Sequence, residues 1–274
     1  MSAPAPSSSL RRLALAALLC APAWARAGCK RPFNVPVSAT GRSVIINGDA
    51  VSGIYPELLR SLSGKGGCEF KFSVVPRARQ EALFEAGKAD LLVPATRSPR
   101  RDQLGFFVPL IGSRPTAISV NPALPPLRSI AELMERRELR VALVRGFDYG
   151  DAYQAMAREL GTQGRLLWEA DPTGVARLLN ANFADLTVMS PNILAGAVMG
   201  DPRVEALGAR LRIEALEELP WTEAGVYVSR SSVSAGERAA LEHLLGAAAK
   251  SGAVYDSFKR YYPPEILNGT IRQR

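Results

Sequence analysis

The 274-residue chain predicts an α/β protein of two lobes, each a mostly parallel sheet flanked by helices. Three observations carry that expectation. Apolar strand-like runs alternate with amphipathic helical runs along nearly the whole chain. The order strand, helix, strand, helix, strand occurs twice. "EAGKADLLVPATRSP" and "LNANFADLTVMSPN" also share one local pattern: helix, turn, Ala-Asp and an apolar strand.

In the first set, "PFNVPVS" reads as a strand and "SVIINGDAVSG" as a hairpin turning at Asn47-Gly48. "YPELLRSLSG" is a helix with Pro56 near its first turn and Gly64 just past its end. "CEFKFSVV" alternates as a strand. "RARQEALFEAG" then places Ala78, Ala82, Leu83 and Ala86 on one helical face. "ADLLVPA" is a short apolar run of the kind buried on both faces of a parallel sheet.

The second set follows the proline-rich "NPALPPL". "SIAELMER" is a helix, "LRVALVRG" a strand, and "DAYQAMARELG" a helix with Asp148 or Asp151 as its cap. "GRLLWEA", "TGVARLLNAN" and "ADLTVMS" continue as strand, helix and strand. The strand "TEAGVYVSR" and the helices "AGERAALEHLLGAAAKSG" and "VYDSFKRYY" then return to complete the first lobe. The expected division is 28–118 with 217–266 for lobe 1, 119–216 for lobe 2, and 267–274 as a tail.

Residues 1–27 read as an export signal. Arg11 and Arg12 precede the apolar "LALAALLCAPAWA", and "ARA" before Gly28 has the small-x-small pattern of a cleavage site near Ala27. A membrane anchor competes, but Pro22 and the short apolar core oppose it. A lipid anchor at Cys20 is disfavoured by Leu19, where a small residue is wanted. Without these residues and their three arginines the net charge of +8 falls to +5. No basic block of the kind that binds nucleic acid remains, and no later run is long enough to span a membrane. A soluble periplasmic protein is expected.

Cys29 and Cys68 survive cleavage, and in an oxidising compartment an even pair reads as a disulfide, with two buried thiols as the alternative. His243, the single histidine, lies in the amphipathic "ALEHLLGAA", so no metal site is expected.

In order and spacing the segments resemble the periplasmic solute-binding proteins of ABC importers, specifically the polar amino-acid class with the two-lobed type II fold. The matching features are Gly53 to Glu57 at a helix start, "AGKAD" at 86–90, the strand Leu91 to Ala95, and the loop Thr96-Arg97-Ser98-Pro99-Arg100-Arg101 followed by "FFVPL". "LRVALVRGFDYGD" is similar to the family's second-lobe turn, and "SGAVYDSFKRYYP" to its closing helix. The resemblance implies a monomeric clamp with two crossing segments, near Ala117–Asn121 and Glu214–Leu219. It also implies an interlobe cleft that closes on a small solute, delivery to an ABC permease, and no cofactor.

The resemblance gives Arg101 the role of holding a carboxylate. A guanidinium suits that role, since it offers two parallel donors and stays charged. Thr96 and Ser98 match loop hydroxyls that donate to the same group, with turn capping as the alternative. Arg97 and Arg100 read as solvated. Arg77 and Arg79 follow a strand end, where open α/β sheets bind ligands; they read either as partners supporting the site or as ordinary helix-start charges. Departures from the family also fall at the site. Gly146-Phe147 stands for the usual Gly-Thr, Ser190 for the acid that pairs with a ligand ammonium, and Ser38, Thr40 and Arg42 for a stacking aromatic. A carboxylate-bearing solute, not necessarily an amino acid, is therefore expected. Two alternatives stand beside solute delivery. One is an enzyme of dehydratase type on the same fold, with Glu57, Glu81, Asp148 or Glu223 as acid or base. The other is a soluble sensor for a membrane receptor.

Overall fold

The computed structural model describes residues 29–274, so the export segment lies outside the described residues. The first half of the first lobe runs β1 (Phe33–Val37), the hairpin β2 (Ile45–Asn47) and β3 (Ala50–Ser52), α1 (Ile54–Gly66), β4 (Phe70–Val74), α2 (Arg77–Glu85), β5 (Leu91–Thr96), α3 (Pro99–Leu104) and β6 (Gly105–Ser113). The second lobe runs β7 (Thr116–Ser119), α4 (Ile130–Glu135), β8 (Val141–Val144), α5 (Asp151–Thr162), β9 (Leu166–Glu169), α6 (Pro172–Asn180), β10 (Leu186–Met189), α7 (Pro191–Val198), a 3-10 turn at Glu205–Arg210 and β11 (Arg212–Glu214). The chain then returns through β12 (Thr222–Ser229), α8 (Ala235–Lys250), α9 (Ala253–Tyr261), α10 (Pro264–Leu267) and β13 (Ile271–Arg272).

The second-lobe strands lie in the order β11-β7-β10-β8-β9, and four first-lobe strands in the order β13-β6-β12-β5. β1 and β4 form a parallel pair beside β5, joined to it where Asn34 and Asp90 exchange hydrogen bonds. Each lobe has its own apolar core. One contains Phe33, Leu59, Leu91 and Val226, the other Leu143, Leu160, Val175 and Leu186, all fully buried. Burying each such side chain contributes roughly 1.5–3 kcal/mol, so each lobe has a core of its own to hold it.

The expectation of mostly parallel sheets is corrected. The β1-β4, β8-β9 and β8-β10 pairs are parallel, but β5-β12, β6-β12, β6-β13, β7-β10 and β7-β11 are antiparallel. Parallel pairing belongs to strands joined through a helix, whereas strands that enter from the other lobe have no crossover helix to dictate direction. β5 is as buried as its apolar run predicts, yet it pairs antiparallel with β12. Three smaller boundaries also move. The hairpin loop is Gly48-Asp49, α1 runs to Gly66 with Gly67 as its left-handed cap, and Gly150 rather than an aspartate precedes α5.

β6 ends in the first sheet at Ser113 and β7 opens the second at Thr116, so the outward crossing occupies 114–115. The return occupies 215–221, between β11 and β12. β13 is the outer strand beside β6, so the C-terminal segment is part of the first sheet. Cys29 and Cys68 are joined by a disulfide, which ties the start of the described chain to the segment between α1 and β4.

Candidate functional site

The strand ends of both lobes face one cleft. From lobe 1 come the turn after β1 (Thr40, Ser43), the start of α2 (Arg77) and the end of β5 (Thr96). From lobe 2 come the turn after β8 (Phe147, Asp148, Tyr149) and the start of α7 (Ser190, Asn192). This is where open α/β sheets place ligands. The space between them is about 50 Å³, room for a few water molecules and far below the roughly 300–1,000 Å³ of a ligand pocket. A solute enters only if the lobes part.

Arg101 lies at the back of this cleft and is 1% exposed. Its Nη2 donates to Glu81 Oε1 at 2.6 Å, its Nε to Oε2 at 3.3 Å, and its Nη1 to the carbonyl of Thr96 at 2.8 Å. Arg77 Nη2 donates to the same Glu81 Oε1, also at 2.6 Å. Glu81 is thus clamped between two buried guanidiniums. Burial alone would raise its carboxyl, but Arg77 and Arg101 outweigh burial and hold it below the usual range. Gln80 completes the cluster by accepting from Arg77 and Ser38 and donating to Val93 O.

Hydrogen bonds join the lobes directly. Ser98 Oγ donates to Asp148 Oδ2 (2.9 Å), and Ser113 Oγ pairs with Ser190 Oγ (2.9 Å). Arg42 Nη2 donates to Met199 O (3.1 Å), Arg77 Nε to Gly146 O (3.4 Å) and Arg101 Nη1 to Asp148 O (3.4 Å). The Arg77 guanidinium also lies 5.8 Å from the Phe147 ring centre. Burial pushes the Asp148 carboxyl up, but Arg101 and hydrogen bonds from Gly150, Gln154 and Ser98 bring it below its ordinary value.

Among the described residues, two buried polar atoms on the cleft wall have no hydrogen-bond partner: the Tyr55 hydroxyl and Asn192 Oδ1. Burial pushes the Tyr55 phenol up, so it stays protonated and is a donor as well as an acceptor.

Of the residues singled out in the sequence, the fold brings Arg101, Thr96, Thr40, Phe147 and Ser190 to the cavity wall. Ser98 and Gly146 are at its edge, bonded across the lobes. Arg42 lines a separate groove of about 530 Å³ with Arg177, Asp201 and Arg203. Arg79 is exposed and lines neither space; Arg77, two residues earlier, is the inward one. Of the four candidate acids only Asp148 lines the cavity, while Glu57 bonds Tyr261 and Glu223 bonds Arg274. Sequence reasoning missed Tyr55, Asn192, Tyr149 and Phe258. Asn192 was within reach, since it lies two residues past Ser190 at the start of α7.

Solved structures align over most of the chain. One is a histidine kinase sensor domain with similarity to periplasmic binding proteins, at TM-score 0.68 and 19% identity over 88% of this chain and 98% of that one. The fold is that of the type II periplasmic binding proteins. EhuB, solved in complex with hydroxyectoine, shares the periplasmic-binding-protein fold at TM-score 0.66 and 16% identity, over 88% and 92% of the two chains. ArtJ of Geobacillus stearothermophilus, an arginine-, lysine- and histidine-binding protein, shares it at TM-score 0.68 and 13% identity, over 86% and 98%. No family model and no curated protein sequence matches.

Proposed function

We propose that this protein binds a small polar solute in the interlobe cleft, the lobes parting to admit it and closing over it. The supporting observation is the pair of buried, unpartnered polar atoms, Tyr55 Oη and Asn192 Oδ1, on a wall built from both lobes. An unmet buried polar group costs about 1–3 kcal/mol, and a hydrogen-bonding solute would recover that. A ligand that touches both lobes favours the closed state by its differential contacts.

The carboxylate expected from Arg101 meets a neutralised site. Arg77 and Arg101 already face Glu81 and Asp148, two cations against two anions. A solute carboxylate would have to compete with a chain carboxylate. Delivery of the solute to an ABC permease from a monomer in the periplasm is the leading use. A sensor role is the second, favoured by the kinase sensor domain that shares the fold. Catalysis is disfavoured because Asp148, the single acid on the wall, is held below its ordinary value and is a weak proton acceptor at neutral pH.

The test is native mass spectrometry of protein purified from its compartment, followed by calorimetry with whatever solute is retained. Binding that weakens at least tenfold in Tyr55→Phe or Asn192→Ala supports the proposal. Failure to retain or bind any amino acid, amine or organic acid sinks it.

A further inference from the structure

Of the residues that sequence reasoning assigns to a solute's anion, Ser98 is bonded to a carboxylate of the other lobe, while the Arg101 guanidinium is held by Glu81 of its own lobe. Ser98 belongs to lobe 1, and the carboxylate that accepts from its hydroxyl is that of Asp148 in lobe 2. Ser98 stands at the N-cap of α3, where a serine ordinarily accepts from a backbone N–H of the first turn. Here its side chain makes no such bond. The hydroxyl instead donates across the cleft to Asp148 Oδ2 at 2.9 Å, and both residues are buried, at 3% and 6% exposure.

The Asp148 carboxylate is also fixed from behind. Its Oδ1 accepts from the backbone N–H of Gly150 at 3.0 Å and from Gln154 Nε2 at 3.2 Å, which leaves Oδ2 directed at lobe 1. Arg101 Nη1 reaches the Asp148 carbonyl at 3.4 Å, so the backbone of the same residue is held as well. The other interlobe bonds named above are made to neutral groups, either backbone carbonyls or the serine pair.

We propose that Asp148 is an internal latch: its carboxylate takes the Ser98 hydroxyl that a solute's anion would use and holds the lobes together when no solute is bound. The cleft is then shut at rest, and a solute's anionic group enters by replacing Asp148. This goes beyond the solute-binding proposal and is read without any solute, so the two fail separately.

The experiment is pulsed electron paramagnetic resonance on the purified protein, spin-labelled at Lys88→Cys in lobe 1 and Arg158→Cys in lobe 2, both exposed positions. The protein is first unfolded and refolded, with the disulfide kept, to remove any retained solute. The background with native Ser98 should give one short interlobe distance. Ser98→Ala removes the donor and Ser98→Asp places a second carboxylate against Asp148; neither disturbs a cap. Each should lengthen the distance by more than about 2 Å, the scale of hinge rearrangement, with the larger shift in Ser98→Asp. A distance unchanged from the background in both variants, or a background already at the longer distance, overturns the proposal. Far-ultraviolet circular dichroism matching the background establishes that each variant is folded.

Discussion

A guanidinium with 1% exposure persists only if its charge is met, and at Arg101 the Glu81 carboxylate meets it while also holding Arg77. Glu81→Gln should therefore leave two buried cations partly uncompensated and lower stability by about 3–5 kcal/mol. Urea denaturation at pH 7 measures this, and a loss under 1 kcal/mol would count against the cluster. The same carboxylate sets an acid limit. Glu81 and Asp148 titrate below their unfolded values, so the stability they contribute is present above about pH 4 and is lost as pH falls through their folded values. The urea midpoint should be nearly flat from pH 7 to about 5 and fall below about 4. That fall should be shallower in Glu81→Gln. Sequence reasoning found Arg101 because a loop of hydroxyls and arginines between two apolar runs is conspicuous. Glu81 could not be tied to it, since nothing in the chain records that residues 20 positions apart will share a salt bridge.

Among the elements, those that are legible announce themselves locally. Ser234 and Glu237 form a reciprocal cap at the start of α8, and Ser234→Ala should cost about 1 kcal/mol in thermal or chemical unfolding. The Cys29–Cys68 bridge spans 39 positions, for which chain entropy gives about 4 kcal/mol. Cys68→Ser should lower the unfolding free energy by that order; an unchanged midpoint would mean that the bridge does not form. Helix and strand identity follows from apolar spacing, and the strand at 91–96 was legible in that way. The direction of its partner was not, because an apolar run reports burial and carries no record of which neighbour it will meet. The short helix α3 was hidden for a related reason: a proline followed by the polar Arg100, Arg101, Asp102 and Gln103 reads equally well as a loop.

At the scale of the whole molecule, two lobes were legible from a repeated order of elements, whereas the way they touch depends on surfaces formed only after each lobe folds. At Gly196 they pack too closely for a side chain. A Cβ on Gly196 of α7 would sit 2.5 Å from the Arg42 backbone nitrogen and 2.7 Å from the Tyr262 hydroxyl, both in lobe 1. Gly196→Ala should leave each lobe folded and keep the lobes from meeting. The expected result is a larger radius of gyration in X-ray scattering with unchanged circular dichroism. A variant as compact as the native protein would show that the contact yields.

The segment 270–272 touches both crossings between the lobes. Thr270 O accepts from the Arg114 N–H at 2.9 Å on the outward crossing, Ile271 pairs with Ser113, and the Arg272 guanidinium lies 4.4 Å from the Trp221 ring centre on the return. A purification handle or chip linkage fused after Arg274 would therefore grip the protein at its pivot. Immobilising it there would damp the motion a binding assay is meant to register, and attachment through an exposed side chain of one lobe would leave the other free to swing.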